Sequence, residues 1–352
     1  MQIRVAIIGV GNCCSSLVQA VEAAKKNILP ATGVAFERIG NYSIGDIEFS
    51  TAFDIDTRKV GIDLSQAIYF APNCTTNYFS VPPLSVNVCA GKILDGVGEH
   101  MHDLLEIIPP IQENGLDYVT QILQSTNTHI VISYLPVGSD AASEFYAEAA
   151  LNAGCAFINC MPSKIANSEI FKQKFTERKL PLLGDDIKSQ IGSTAIHRSL
   201  ISLLQDKGAK INSTYQLNIG GNTDFKNMRN GKRAKGKKFT KEISLNHLFN
   251  NDVAIGVGPS DYVPFLKDYK VGYINIEGTA LLGMPFSIEL KLKVEDSPNS
   301  AGVALNAIRA AKVAIDEGIY GIVEDACPYL FKNPPTKLNE SETSNAFKKF
   351  LF

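Results

Sequence analysis

Residues 3 to 26 read IRVAIIGVGNCCSSLVQAVEAAKK. Ile3 to Ile8 form a short, apolar, β-branched run of the kind buried on both faces of a parallel sheet. A glycine turn and a stretch with helical apolar spacing follow it. Strand, glycine turn and helix together open a nucleotide-binding βαβ unit. Gly9 and Gly11 let the backbone approach a pyrophosphate, which rests on the amides that begin the helix. The third glycine of the GxGxxG pattern is absent, and Cys14 stands in its place. The turn alone is a weak signal, so the segments around it carry the reading.

A second strand, Ile47 to Phe53, ends at Asp54 with Asp56 beside it. An acid there accepts the ribose hydroxyls of NAD and repels a 2′-phosphate; Asp54 equally reads as the cap of the following turn. More than the usual spacing separates it from the glycines, which makes Asn27 to Asp46 a loop insertion. THIVISYLPVGS (128 to 139) is another buried strand running into a polar turn; the helix Asp140 to Asn152 and the strand Cys155 to Cys160 come next. Repeated units of this kind predict an α/β fold with a Rossmann-like, doubly wound parallel sheet. Its ligands gather at the carboxyl ends of the strands, where Ser133, Tyr134, Pro136 and Asn159 fall.

With 352 residues, 45% hydrophobic and 20% charged, the chain is long enough for two ordinary domains and has the composition of a globular protein. Its longest early apolar run is cut by glycine well short of a membrane span, and no basic leader precedes it, so the expectation is a soluble, cytoplasmic protein with no membrane partner. Seven cysteines without CxxC spacing argue against a disulfide framework or a structural zinc site, and the five histidines contain no HExxH. Cys13 and Cys14 read as close packing against the cofactor, more than as activated thiols.

After a helix expected over Lys188 to Leu204, strand-like segments dominate: TYQLNIGG (214 to 221), VGYINIEG (271 to 278) and PFSIELKLKVED (285 to 296). This second α+β region should bury one face of its sheet and leave the other to water or another subunit. A helix over Ser300 to Glu317 follows, and SETSNAFKKFLF reads as peripheral. Between the strands lies DFKNMRNGKRAKGKKFTKEIS (224 to 244), eight cations in a chain of net charge −2. Nucleic acid, a membrane surface or a small anion are its possible partners.

Six ordered motifs, GVGNCCSSL, SYLPVGS, GDDIKSQIGST, NIGGNTDFKNM, DSPNSAGV and YLFKNPP, run through nearly the whole chain. Together they resemble the myo-inositol-1-phosphate synthase family in its short prokaryotic form. The resemblance implies a homotetrameric, NAD-dependent isomerase that turns D-glucose 6-phosphate into 1L-myo-inositol 1-phosphate by C5 oxidation, intramolecular aldol closure and re-reduction, in inositol and phospholipid biosynthesis. It implies an NAD-binding Rossmann domain over residues 1–200, a catalytic and tetramerisation domain over 201–308, and a C-terminal segment, 309–352, that returns to the first. Matched motif by motif, it assigns catalysis to Lys237, Lys241, Lys270, Lys332, Asp268 and Asp296. Cofactor contacts fall on Gly9, Gly11, Asn12, Cys13, Cys14, Asp54, Ser133, Tyr134, Pro136, Asp186 and Ser189, and substrate contacts on Lys188, Asn222 and Asp224. Lys237 and Lys332 are expected at the C5 oxygen, Lys241 and Lys270 at the phosphate and the C1 oxygen. Charge develops on oxygen in every step, so fixed cations lower several barriers together.

The residues leave open whether a divalent metal or a monovalent cation polarises the C1 aldehyde. Two other readings share part of the pattern. An ordinary NAD dehydrogenase of a phosphorylated sugar or amino-acid intermediate would have the same first half but export its hydride. A polyanion binder would use residues 226 to 241 as a basic arm, although the chain has no tryptophan and no recognised nucleic-acid module.

Overall fold

β1 (Ile3–Ile8) leads into the glycine turn, and β2 (Ile47–Asp54) and β3 (Val88–Ala90) follow it. Then come β4 (Ile130–Ser133), β5 (Ala156–Asn159) and β6 (Pro181–Leu183). The computed structural model describes residues 2–28, 33–109, 115–231, 233, 249, 253–338, 340–349 and 351. β7 (Lys210–Gly220), β8 (Ala254–Tyr262), β9 (Tyr269–Thr279) and β10 (Pro285–Glu295) make the second sheet, and β11 (Gly321–Ile322) returns to the first.

The first sheet runs in the order β11-β6-β5-β4-β1-β2-β3, and every pairing in it is parallel. The chain winds one way from β1 to β3 and the other way from β4 to β11, so the sheet is doubly wound as expected, with its switch point between β1 and β4. Ile3, Val5, Ile7, Ile130 and Ile132 are fully buried. Each such side chain stabilises the fold by about 1.5–3 kcal/mol relative to exposure.

The segment between the helix Asn12–Lys25 and β2 is an insertion, pinned from outside. Arg309 is completely buried and donates to the carbonyls of Phe36 (3.0 Å) and Glu37 (3.1 Å), and Tyr42 donates to Asp316 Oδ2 at 2.6 Å. Both clamps sit on the long helix Asp296–Asp316, which begins four residues before the expected Ser300. Its Ala301, Ala304, Ala307, Ala310 and Ala311 are buried in the core of the first sheet. The helix is continuous through residue 308 and carries the chain from the end of β10 straight into the nucleotide half.

Two expectations need correction. The helix expected from Lys188 starts at Ser193, because Gly192 is its cap and Asn299 fixes the residues before it: the amide of Ile191 donates to Asn299 Oδ1 at 2.6 Å and Asn299 Nδ2 returns a bond to Ile191 O at 2.7 Å. Lys188 and Ser189 are therefore on a wall, not in a helix. The C-terminal segment is not peripheral. It forms the helix Glu340–Lys349, and Phe347 is wholly buried, stacked on Tyr329 at 4.5 Å between ring centroids and packed against Phe36.

The second sheet has the order β10-β9-β7-β8, antiparallel except for the parallel pair β7 and β8. One face packs on the helix Ser193–Asp206 through Ile201, Ile211, Ile274 and Ile276. The opposite face exposes Tyr215, Leu217, Tyr269 and Tyr273. Among the described residues no helix is long and apolar enough to cross a membrane.

Candidate active site

A deep cleft opens at the carboxyl ends of β1, β2, β4, β5 and β6 and reaches the start of β9 and of the long helix Asp296–Asp316. At its outer end the walls are mostly backbone. Gly9 has φ +92°, and a Cβ there would lie 2.9 Å from the carbonyl oxygen of Tyr134, so only glycine fits. No side chain caps the helix Asn12–Lys25. Asn12, at its start, instead accepts from the amides of Cys74 (2.7 Å) and Thr75 (3.2 Å). The first amides of the helix thus remain for an anionic ligand.

Asp54 accepts from Val10 N (2.7 Å), Ile55 N (2.7 Å) and Asp56 N (2.9 Å). The carboxylate ties the glycine turn to the end of β2, as a cap does, and also lines the cleft. Gly11, Cys13, Tyr134, Pro136, Asp186 and Ser189 line the cleft as well. Cys14 and Ser133 do not; both are fully buried behind it. Burial and the nearby Asp296, Asp268 and Asp224 push the Cys13 thiol up to about 12, so it packs as a neutral group. Lys59, which the sequence reading did not single out, is a buried wall residue donating to Val10 O (2.7 Å) and Asn73 Oδ1 (3.1 Å).

At the inner end, side chains take over. The backbone of Lys332 donates to Asp186 O at 2.7 Å, and its Nζ lies 3.1 Å from Asp186 Oδ1. Residues far apart in sequence meet because the chain returns past β6, with Ile187 bridging Phe331. Asp186 has φ +60°, an uncommon conformation for a residue with a Cβ and one that clusters at functional sites. Lys270, at the start of β9, pairs with Asp296, the first residue of the long helix, at 3.2 Å. An acid in the first turn suits the helix dipole and leaves the ammonium pointing at the cleft.

Asp268 is 1% exposed and stands behind this pair. It accepts from Asn222 Nδ2 (2.9 Å), Ser297 Oγ (2.9 Å) and Ser297 N (3.1 Å), and burial pushes its pKa up to about 6. Asp268, expected among the catalytic residues, does not itself line the cleft. Asn222 in turn accepts from the amides of Asp224 and Phe225 and caps the helix Thr223–Met228, which brings Asn222 and Asp224 to the cleft wall.

A smaller pocket adjoins the inner end, sharing Ser189, Lys270 and Lys332 with it. Its floor is the start of the helix Ser193–Asp206, with Lys188, Arg198, Gln216 and Asn218 around it. Lys188 Nζ is held by the carbonyl of Pro328 at 2.9 Å. Helix amides and four nearby cations make this pocket suited to a compact dianion. Sequence reading missed Arg198, Gln216 and Asn218. The only trace of Gln216 and Asn218 was the polar alternation in TYQLN, which resembles a solvent-facing strand edge.

Of the basic stretch, Lys226 pairs with Asp103 at 2.5 Å and Arg233 donates to Val137 O, Asp95 O and Gly96 O. Lys237 and Lys241 lie outside the described residues. Among the described residues no three His, Cys, Asp or Glu side chains converge as a metal site.

Known proteins resemble the chain along nearly its whole length. The family model described as myo-inositol-1-phosphate synthase matches residues 192–297, from the floor of the small pocket to Asp296 and its neighbour. The chain is 43% identical to an inositol-3-phosphate synthase of Corynebacterium glutamicum, over 99% of this chain and 98% of that one. It is 42% identical to an inositol-3-phosphate synthase of Mycobacterium tuberculosis, over 99% and 96%. Its fold superimposes on a myo-inositol-1-phosphate synthase-related protein of Thermotoga maritima with a TM-score of 0.85 at 23% identity, covering 99% and 97% of the two chains. With near-complete coverage on both sides and the paired lysines in the matched segments, the chain belongs to the myo-inositol-1-phosphate synthase family.

Proposed function

We propose that the chain isomerises D-glucose 6-phosphate to 1L-myo-inositol 1-phosphate, using NAD catalytically. The observation that carries the reading is the convergence of two lysine–carboxylate pairs, Lys332–Asp186 and Lys270–Asp296, between a glycine-turn cleft and a cationic pocket. The cleft fits the cofactor: the Gly9 turn and the uncapped amides after Gly11 hold its pyrophosphate, and Asp54 takes the adenosine ribose. NAD, when bound, accepts the C5 hydride and later supplies it again.

Lys332 shuttles the proton of the C5 oxygen and stabilises the enolate oxygen formed when C6 loses its proton, with Lys237 as the second cation. Asp186 orients Lys332. Lys270, oriented by Asp296, holds the C1 oxygen as the C6 carbanion attacks the aldehyde, and Lys241 adds to the field there. The substrate phosphate sits on the amides opening the helix Ser193–Asp206, between Lys188 and Arg198. Asn222 and Asp224 contact sugar hydroxyls.

The enzyme assembles as a homotetramer, which would cover Tyr215, Leu217, Tyr269 and Tyr273 on the outer face of the second sheet together with the exposed Leu281 and Leu282. Sedimentation as a monomer at micromolar concentration would contradict that assembly. It works in the cytoplasm and feeds inositol and phospholipid biosynthesis.

Phosphorus NMR of the product formed with catalytic NAD tests the activity. Glucose 6-phosphate should be replaced by an inositol monophosphate without accumulation of NADH; an oxidised sugar phosphate with stoichiometric NADH would instead identify an ordinary dehydrogenase. Repeating the reaction with a chelator, and with potassium or ammonium varied, decides whether a cation shares the C1 oxygen with Lys270.

A further inference from the structure

Beyond Asp54 the lining of the cleft turns apolar: Ile55, Leu94, Val97 and Ile107 belong to it, with Leu135 and Pro136 from the turn after β4. Two loops border this slot, residues 91–98 after β3 and residues 134–139 after β4. Neither is helix or strand, so the backbone groups of each must be held by something outside the loop.

The nucleotide half does this only in part. Asp95 accepts from the amides of Ala141 (2.8 Å) and Ala142 (2.9 Å), which ties the first loop to the start of the helix Asp140–Ala153. The second half supplies the rest. Val137, 1% exposed, packs its side chain with Phe225 and Met228 of the helix Thr223–Met228. Its carbonyl oxygen accepts from Asn227 Nδ2 at 2.9 Å and from Arg233 Nε at 3.1 Å, one donor for each lone pair. The same guanidinium crosses to the other loop, where Nη1 donates to Asp95 O at 3.0 Å and Nη2 to Gly96 O at 3.1 Å. A Cβ at Gly138 would stand 3.2 Å from Arg233 Cβ, and Gly138 has φ +82°, so glycine is what lets the arginine lie against this loop.

Three carbonyl oxygens from two loops thus face one planar cation. Without it, Asp95 O and Gly96 O would lose this donor and the oxygens would repel one another; a guanidinium suits them because its N–H groups form a fixed fork. Arg233 itself does not line the cleft, so its effect on a ligand there runs through the loops. We infer that Arg233 is a positioning residue for the cofactor: it spans the loops after β3 and β4, fixes the width of the slot between them, and so sets how firmly the adenine is held. The inference rests on the reading of this end of the cleft as the adenosine seat.

Calorimetric titration of the full-length chain with AMP, NAD and inorganic phosphate tests it, alongside the KM values for NAD and glucose 6-phosphate. Arg233→Ala should weaken AMP and NAD about tenfold each and raise KM for NAD to match. Inorganic phosphate, which carries no base, should bind as in the wild type, and KM for glucose 6-phosphate should stay within about twofold. Arg233→Lys keeps a cation but loses the fork, so its AMP affinity should stay within about threefold of the alanine variant. Unchanged AMP affinity in a folded Arg233→Ala overturns the inference. So does equal weakening of AMP and glucose 6-phosphate, which would mean general loosening, or full recovery by lysine, which would mean charge alone.

Should the alanine variant not fold, Arg233→Lys decides the matter: weaker AMP binding is expected, and wild-type affinity overturns it. AMP binding does not require turnover. A chain that binds AMP in an Arg233-dependent way yet makes no inositol phosphate would refute the activity and leave this inference standing. A wild-type chain that binds neither AMP nor NAD would refute the cofactor seat, and the inference with it.

Discussion

Along β1 and β4 nearly every side chain is apolar and covered on both faces, and what that sheet offers a ligand is backbone: a glycine turn, a row of helix amides and one acid that fixes them. β7 in the second sheet reverses the usual sense of its alternation. Thr214, Gln216 and Asn218 face inward, while Tyr215 and Leu217 are 43% and 39% exposed. The first sheet therefore offers a ligand a seat made of backbone, which the proposed function gives to the cofactor. The second supplies buried polar groups and, at its edge, paired lysines, which the proposed function assigns to one substrate, and it leaves an apolar outer face. Backbone seats tolerate little change in the glycines and much elsewhere; side-chain seats depend on a few pairs.

Breaking the side-chain seat should have the largest effect. Lys332→Ala should lower kcat by about 10²–10³-fold with NAD affinity preserved, as should Lys237→Ala; near-full turnover in both would remove them from the mechanism. Breaking the backbone seat comes next. Gly9→Ala forces a Cβ against Tyr134 O at positive φ, and titration should show NAD binding weakened by more than about tenfold, together with a lower Tm. Asp54→Ala should weaken NAD about tenfold and relax discrimination against NADP, while kcat at saturating NAD stays near the wild-type value. Equal cofactor affinity in the variant would take Asp54 out of the seat.

The smallest effect sharpens the comparison through pH. Asp185, buried beside β5 and β6, accepts from Asn159 Nδ2 (2.7 Å), Ala166 N (2.9 Å) and Asn167 Nδ2 (2.9 Å), yet burial outweighs those bonds and raises its pKa from 3.8 to about 6. Between those two values the folded chain holds more protons than the unfolded one, so lowering the pH through this window stabilises the fold. Melting curves of wild type and Asp185→Asn from pH 7 to pH 4 should diverge in favour of the wild type as the pH falls. A difference that stays constant would mean that Asp185 is ionised throughout.

Much of the first sheet was legible in the sequence because burial on both faces leaves long β-branched runs, and because Gly9 has no substitute at its φ. The short strands β3, β6 and β11, of two or three residues each, give no periodic signal. Lys332 and Asp296 were found through motif resemblance, since the return of the chain past β6 brings together residues whose spacing says nothing. Gln216 and Asn218 stayed hidden for a different reason: a polar residue at every second position of a strand normally marks the water side, and only the helix packed over that face reveals the opposite. The expected peripheral tail failed for want of a visible partner, because Phe347 is buried by Phe36 from the insertion and Tyr329 from the chain return.

The account stands or falls on whether the hydride taken from C5 goes back to the same sugar. Glucose 6-phosphate deuterated at C5, turned over with a trace of NAD, should yield inositol phosphate that retains the deuterium, with none in the free dinucleotide. Deuterium collecting in free NADH alongside an oxidised sugar phosphate would contradict it.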